Sequence, residues 1–145
     1  DAEGMAMQRD RVERCHAANG FCFWAIERKQ DGELLGFCGL KRADAPGSTV
    51  TGAMEIGWRL REDAWGQGYA REAATAALDL AFTRFGADEV VSLTAQGNEA
   101  SWGLMLRLGM RRRAELDYPD LRYDPPLRDT IVYSLDRAGW EASHG

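Results

Sequence analysis

The segment that most constrains the fold is residues 55–73, where a strand leads through a glycine-rich turn into a helix. Apolar side chains alternate with other residues over 54–60, which is the period of a strand. From Ala70 onward the apolar side chains instead fall on one stripe of a helix of about four turns. That stripe consists of Ala70, Ala73, Ala74, Ala77, Leu78, Ala81 and Phe82. The turn that joins the two elements reads WGQG, at 65–68.

Two glycines in this turn, Gly66 and Gly68, suit a binding site for an anion. Glycine lets the backbone approach a ligand closely, and the first N–H groups of the following helix have no acceptor within the helix. With the positive end of the helix dipole, these donors form a site suited to a pyrophosphate. The same glycines also fit a turn that only ends a strand and starts a helix. The turn alone leaves both interpretations open.

Two other phosphate-binding motifs do not fit the turn. A P-loop needs Gly-Lys-Ser/Thr at the helix start, whereas Tyr69 and Ala70 follow Gly68. A dinucleotide-binding fingerprint needs a third glycine at position 71, which is Arg71, and a parallel βαβ unit. The strands before the turn instead follow one another as a meander. The sequence therefore excludes both motifs.

The remaining pattern predicts one α+β domain over residues 1–145, with a mixed and largely antiparallel sheet flanked by helices. A turn centred on Asp31 and Gly32 joins two apolar runs into a hairpin. Asn98 has the position of an N-cap, and Gly86 and Gly109 end two helices. A surface helix is predicted over 1–19, and the predicted strands are 21–27, 34–40, 54–60, 90–95, 111–116 and 130–135.

Composition excludes several classes of partner. The chain has a net charge of −5 and no cluster of Lys and Arg long enough to follow a phosphate backbone, so nucleic acid is not expected as a partner. No apolar run approaches the ~20 residues of a membrane span. Cys15, Cys22 and Cys38 lack the spacing of metal ligands. We therefore expect a cytoplasmic protein with reduced thiols, no metal and no membrane contact.

Three stretches, taken in order, resemble the GNAT family of N-acetyltransferases, in particular its ribosomal-protein N-terminal acetyltransferases. They are EIGWRL with WGQGYAREA at 55–73, NEAS with LGM at 98–110, and the ending at 130–140. The resemblance covers nearly the whole chain and implies a GNAT-type α+β fold that lacks the family's first strand and helix. It also implies acetyl-CoA as acetyl donor, an amine as acceptor and no metal. Similar proteins are often dimers, so a homodimer is one option.

The resemblance also implies which residues hold the cofactor. Backbone N–H groups from Gly66 to Arg71 would bind the pyrophosphate, and the third strand would pair with the pantetheine arm like an added strand. The family pattern of Gln or Arg, two residues, Gly, one residue, then Gly or Ala falls on Trp65, Gly68 and Ala70, so Trp65 departs from the broad pattern. The implied cofactor residues are Trp58, Arg59, Leu60, Trp65, Gly66, Gln67, Gly68, Tyr69, Ala70, Arg71, Asn98 and Ser101.

Direct attack of an amine on a thioester needs a base, an oxyanion donor and a way for the thiolate to leave. Glu55, on the strand beside the cofactor arm, is the candidate base, although it also fits an ordinary solvent-facing strand residue or one that only orients the acceptor amine. A backbone N–H near Trp58 or Arg59 is the candidate oxyanion donor. Many relatives place a Tyr acid where this chain has Met105. Ser101, one turn earlier, is the candidate acid, with a helix cap as its alternative role.

The sequence leaves the acceptor and the activity open. A protein N-terminus and a small-molecule amine both fit. In the acidic loop at 115–129, Asp117, Asp120 and Asp124 are candidates to attract a cationic acceptor, although a solvated loop is the commoner explanation of such charges. A non-catalytic acyl-CoA-binding module is the main alternative, because Met105 removes the usual acid. A nucleotide-binding protein is the third hypothesis, and it predicts stabilisation by ATP or NAD rather than by coenzyme A.

Overall fold

The first part of the sheet is a hairpin followed by a third strand. The computed structural model describes residues 22–144, so the helix predicted over 1–19 lies outside the described residues. Strand β1 (Phe23–Glu27) pairs with β2 (Leu34–Arg42) through a turn in which Gly32 has a φ of 70°, a left-handed conformation that suits glycine. Strand β3 (Met54–Leu60) pairs antiparallel with β2. The meander predicted from the sequence is confirmed.

Seven strands of the described residues form one sheet, in the order β1-β2-β3-β4-β7-β5, with β6 also paired to β7. Strands β4 to β7 are Glu89–Ala95, Arg111–Arg112, Tyr118–Pro119 and Asp129–Asp136. The β3–β4 pair is parallel, and the other pairs are antiparallel. This mixed, mostly antiparallel sheet confirms the predicted fold class.

Helices cover the sheet and enclose its core. Those described are α1 (Tyr69–Thr83), α2 (Glu99–Arg107) and α3 (Arg137–His144). The predicted apolar stripe of α1 faces β2 and β3, and Leu78 and Phe82 are fully buried there. Leu104, Met105 and Leu108 bury the corresponding face of α2 in the same core. No helix within residues 22–144 is long and apolar enough to cross a membrane.

Strands β3 and β4 pair over only two residues and then separate. Their parallel pairing ends at Glu55 and Val91. Just beyond it, the buried Ser92 hydroxyl donates to the Ile56 carbonyl at 2.9 Å, so a side chain takes the place of a ladder hydrogen bond. From residue 57 to 60, no described strand pairs with β3 on this side. A gap therefore opens between the two strands.

Two elements differ from the sequence prediction. The strand predicted over 111–116 is wrong beyond its first residues, since β5 ends at Arg112 and a 3₁₀ helix follows at Ala114–Leu116. Conversely, α3 was not predicted, because it is short and polar and contains Gly139, a poor helix former. Trp140 of α3 stacks on Phe82 of α1, with ring centroids 5.3 Å apart. This aromatic contact holds α3 against the core.

Cys22 and Cys38 are both buried thiols. Burial raises the pKa of the Cys38 thiol to about 12, because the thiolate would lose its hydration. The Cys38 thiol therefore stays protonated at neutral pH, as expected of a structural cysteine. Cys15 lies outside the described residues.

The Leu78→Ala variant tests the packing of α1. Truncating this fully buried side chain loses transfer free energy and leaves a cavity. We expect the free energy of unfolding to fall by about 2–5 kcal/mol, measured by urea denaturation. Leu106→Ala on α2 is the matched control: since Leu106 is 51% exposed, we expect a change within about 0.5 kcal/mol. Equal losses in the two variants would contradict this packing.

Candidate functional site

A groove of about 1000 Å³ lies where the N-termini of α1 and α2 meet the end of β3. This volume is at the upper end of the range of small-molecule pockets, and it suits an extended cofactor. The groove lining includes residues that the sequence motifs implied for the cofactor, namely Trp58, Arg59, Leu60, Trp65, Gly66, Gly68, Tyr69, Ala70, Arg71, Asn98 and Ser101. The fold thus brings two separate motifs to one place.

The N-terminus of α1 forms one wall of the groove. Gly68 precedes the helix with a φ of 83°, and its carbonyl accepts a hydrogen bond from the N–H of Glu72 at 3.0 Å. Because that bond begins the helix, the N–H groups of Tyr69, Ala70 and Arg71 have no acceptor within it. These groups are donors for an anion at the positive end of the helix dipole.

The N-terminus of α2 forms another wall. Asn98 caps this helix, since its side chain accepts a hydrogen bond from the N–H of Ser101 at 3.3 Å. This confirms the predicted N-cap. The cap is made by the Asn98 side chain, and Ser101 is one of the residues that line the groove.

The groove is basic although the chain as a whole carries a net charge of −5. Arg59, Arg71 and Arg107 line it, and Glu99 is the one carboxylate among its described lining residues. Cations beside two helix N-termini concentrate an anionic ligand. Arg107 was not predicted, because nothing in the sequence distinguishes it from any other cation at the end of a helix.

Two side chains of the glycine-rich turn have different positions. Trp65 is 59% exposed, and its indole N–H donates to the Leu60 carbonyl at 3.1 Å, which fixes the ring at the edge of the groove. Gln67 is not among the lining residues, and its side-chain amide donates to the Asp63 carbonyl at 3.1 Å. The Gln67 side chain is therefore directed at the preceding 3₁₀ helix (Glu62–Ala64). Only its backbone is left for the implied contact with the cofactor.

The groove continues into the gap between β3 and β4. A cavity of about 280 Å³ occupies this gap and shares Trp58, Arg59, Asn98 and Ser101 with the groove. Met105 also lines the gap, and its thioether has no proton to donate. A ligand arm that leaves the groove would therefore pass between the two strands.

The alternation of the β3 backbone decides which N–H groups face this gap. Successive residues of a strand present their N–H and C=O groups to alternate sides. The Ile56 carbonyl faces β4, where it accepts a hydrogen bond from the Ser92 hydroxyl. The N–H of Arg61 instead faces β2, where it donates to the Leu35 carbonyl at 2.8 Å. The backbone N–H of Trp58 therefore faces the gap, and that of Arg59 faces β2. Of the two expected oxyanion donors, this geometry favours the N–H of Trp58.

A third cavity, of about 320 Å³, adjoins the gap, and we refer to it as the distal cavity. Glu55, Leu93 and Thr94 line both spaces, so the groove, the gap and the distal cavity follow one another along a single path. The distal cavity is lined by Lys41, Ala45, Glu55, Leu93, Thr94, Ala95, Tyr118, Asp120, Arg122, Tyr123, Leu127 and Thr130.

Glu55 is a half-buried carboxylate between the gap and the distal cavity. Burial raises its pKa above the ordinary value, and this effect outweighs the opposing charges of Lys41 and Arg122. Lys41 lies directly opposite Glu55 on β2. A carboxylate with a raised pKa is a stronger proton acceptor once it is ionised. Glu55 is therefore not an ordinary solvent-exposed strand residue.

Four of the acids in the loop at 115–129 form ion pairs with arginines, and those of Asp117 and Asp120 have two-nitrogen contacts. Arg112 binds Asp117 and holds the pKa of its carboxyl below the ordinary value. Two nitrogens of Arg122 bind the buried Asp120, at 2.9 and 2.6 Å. Asp124 is fully exposed and lies 3.9 Å from Arg128, as in a solvated loop. These ion pairs do not support a role for Asp117 and Asp120 in attracting a cationic acceptor.

Most residues of the distal cavity were not predicted from the sequence. The position of Lys41 could have been predicted, because pairing β2 with β3 places it opposite Glu55. Tyr118, Arg122 and Thr130 come from the last loop and strand, and they meet Glu55 only through the order of strands in the sheet. No motif in the sequence marks that meeting.

Known proteins related to this chain include several acetyltransferases. The family model for the acetyltransferase (GNAT) domain matches residues 2–111. Uncharacterized protein YkkB of Bacillus subtilis is 38% identical over 91 residues, covering 63% of this chain and 51% of that protein. FsC-acetyl coenzyme A-N(2)-transacetylase of Aspergillus fumigatus is 31% identical over 117 residues, covering 76% of this chain and 48% of that protein. The chain thus spans about half the length of these two relatives.

Solved structures share the fold. An acetyltransferase from Agrobacterium tumefaciens has a TM-score of 0.66 at 26% identity, covering 84% of this chain and 64% of that one. Ribosomal-protein-S5-alanine acetyltransferase from Vibrio fischeri has a TM-score of 0.73, covering 95% of this chain and 73% of that one, and its 18% identity shows a common fold alone. Since the family model matches most of the chain and the fold agrees, the chain belongs to the GNAT acetyltransferase family.

Proposed function

We propose that this chain transfers the acetyl group of acetyl-CoA to a primary amine, by direct attack in a ternary complex. Coenzyme A would occupy the groove, its thioester the gap, and the amine the distal cavity. The observation that carries the proposal is the position of Glu55, which borders both the gap and the distal cavity. Its carboxylate lies where the thioester and the amine would meet.

The shape and charge of the groove support acetyl-CoA as the donor. Three N–H groups at the start of α1 suit a pyrophosphate, and Arg59, Arg71 and Arg107 suit the phosphates of a polyanionic ligand. The free edge of β3 at 57–60 suits the amide groups of pantetheine, which would pair with it like an added strand. The related protein from Aspergillus fumigatus is named as a transacetylase that uses acetyl coenzyme A.

The proposed reaction forms a C–N bond and breaks a C–S bond. Glu55 takes a proton from the ammonium group, directly or through water, and the free amine attacks the thioester carbonyl. The N–H of Trp58 stabilises the resulting oxyanion. As the C–S bond breaks, the attached nitrogen gives up its second proton to water or to the departing thiolate. The thiolate leaves beside the N-terminus of α2, where the helix dipole and the Ser101 hydroxyl favour negative charge.

The Gly68→Ala variant tests the anion site. Gly68 and Gly47 have similar positive φ angles, +83° and +79°, and each has open space where a Cβ would lie. Alanine at either position should therefore destabilise the chain by about 1–2 kcal/mol. Only Gly68 lines the groove, so only its added methyl group obstructs a pyrophosphate. We expect coenzyme A to stabilise the Gly47→Ala control as it does the unmodified chain, and to stabilise Gly68→Ala much less.

Thermal denaturation with and without ligand measures this difference. Coenzyme A at 100 times its dissociation constant should add about 2.7 kcal/mol to the free energy of unfolding. Equal stabilisation of the two variants would place the pyrophosphate elsewhere. The same measurement with ATP and NAD tests the nucleotide-binding alternative, and stabilisation by ATP alone would contradict the proposed function.

The Glu55→Gln variant tests the proposed base. Glutamine has nearly the same shape but cannot take the proton, so we expect kcat to fall by about 10²–10⁴-fold. Because burial raises the pKa of Glu55, the unmodified chain should lose activity as the pH falls through that raised value and the carboxylate becomes protonated. This acid limb should be missing from the variant. Thiol release from acetyl-CoA, followed against pH with an amine panel, measures both effects.

The matched control for this test is Glu27→Gln, which changes an exposed carboxylate on β1. It should keep full activity and the same pH profile. If Glu55→Gln loses less than tenfold in kcat and retains the acid limb, another group is the base.

Met105 favours one alternative, a non-catalytic acyl-CoA-binding module. This buried thioether borders the gap, where many relatives carry a tyrosine, and it cannot protonate a thiolate. The same thiol-release assay separates the two functions. Binding of acetyl-CoA without thiol release across the amine panel would favour the module, whereas amine-dependent release with any member would exclude it.

A further inference from the structure

We infer that the acceptor is a small primary amine that also carries a carboxylate, with Lys41 and Arg122 binding the carboxylate while Glu55 receives the ammonium group. The inference rests on the proposed function and concerns the charge of its second substrate. It follows from the hydrogen-bonding capacity of the distal cavity.

Lys41 supplies the first cationic donor. It lines the distal cavity directly opposite Glu55. An ammonium group has three N–H donors, and one of them is directed at Asp44, 3.0 Å away. The Asp44 side chain is 76% exposed, and an ion pair at such a surface contributes little free energy. A carboxylate in the cavity can therefore compete for the Lys41 ammonium.

Arg122 supplies the second cationic donor. Its pair with Asp120 uses Nε and Nη2, which leaves the N–H groups of Nη1 for a ligand. Asp120 is buried and also accepts from the backbone N–H of Arg122 at 3.1 Å. The guanidinium is thus fixed at the cavity, and the Asp120 oxygens are already occupied.

Glu55 is the remaining carboxylate of the distal cavity among the described residues. The cavity therefore offers one acceptor for an ammonium group beside two cationic donors for an oxyanion. A diamine would bring a second ammonium group next to Lys41 and Arg122, where like charges repel. A plain alkylamine would leave both cations without an added partner. A carboxylate on the acceptor would form an ion pair with both cations.

The size of the cavity favours a small molecule as the source of this carboxylate. Its volume of about 320 Å³ is near the lower end of the range for small-molecule pockets, about 300–1000 Å³. Tyr123 and Leu127 add an apolar part to the lining. An acceptor of amino-acid size fits these dimensions.

Matched acceptor sets test the inference with the 145-residue chain. Each set compares an α- or ω-amino carboxylate with the alkylamine that lacks the carboxylate and with the diamine of the same length. Thiol release from acetyl-CoA gives kcat/KM for every member. We expect at least about a tenfold preference for the amino carboxylate in the best set, equivalent to about 1.4 kcal/mol. The preference should appear mainly in KM, because it is a binding effect.

Lys41 variants tie this preference to the cavity. Removing the cation also changes the pKa of Glu55, but that effect is shared by all acceptors and cancels in the ratio of their kcat/KM values. We expect Lys41→Met to lose most of the preference, Lys41→Glu to reverse it toward the diamine, and Lys41→Arg to retain it. Lys29→Met, at an exposed lysine between β1 and β2, is the matched control and should retain it fully.

Three outcomes would overturn the inference. Equal kcat/KM values within every set, or a preference for diamines, would overturn it while leaving the proposed acetyl transfer intact. If Lys41→Met and Lys41→Glu leave a carboxylate preference unchanged, Lys41 does not bind the carboxylate of the acceptor, and the inference is overturned. No thiol release with any acceptor, despite binding of coenzyme A, would overturn the proposed function together with the inference.

Discussion

The site depends on the point where β3 and β4 stop pairing. Because these strands are parallel, their carboxyl ends lie at the same edge of the sheet, and the helices that follow them both begin there. The Ser92 hydroxyl satisfies the Ile56 carbonyl at the point of separation, so the strands diverge without leaving that buried carbonyl unpaired. The free edge of β3 and two helix N-termini consequently border one continuous space.

Local pairing, and not net charge, sets the electrostatics of this space. The chain is acidic overall, yet Arg59, Arg71 and Arg107 line the groove beside two positive helix ends. In the distal cavity Arg122 neutralises Asp120, so that Glu55 is left as the carboxylate facing cations. A ligand charge deduced from a net charge of −5 would therefore have the wrong sign for the groove.

Features that depend on local periodicity were predictable from the sequence. The stripe of α1, the glycines before it and the Asn98 cap depend on residues a few positions apart, and all three are found. The gap and the distal cavity depend on pairing between distant strands, which periodicity does not fix. The start of α3 did carry a local signal, since Asp136 accepts a hydrogen bond from the N–H of Gly139 at 2.7 Å.

The proton balance of acetyl transfer explains why Met105 is compatible with catalysis. A thiol has a reference pKa of about 8.5, so a thiolate leaves near neutral pH with little need for a proton donor. A lysine-like amine, at about 10.4, must instead lose a proton before it can attack. In the proposed mechanism, the demanding proton transfer is therefore on the acceptor side, at Glu55. A free carboxylate on the acceptor would raise the pKa of the acceptor's amine. If Lys41 and Arg122 neutralise that carboxylate, the pKa of the amine falls, and substrate binding itself assists the deprotonation.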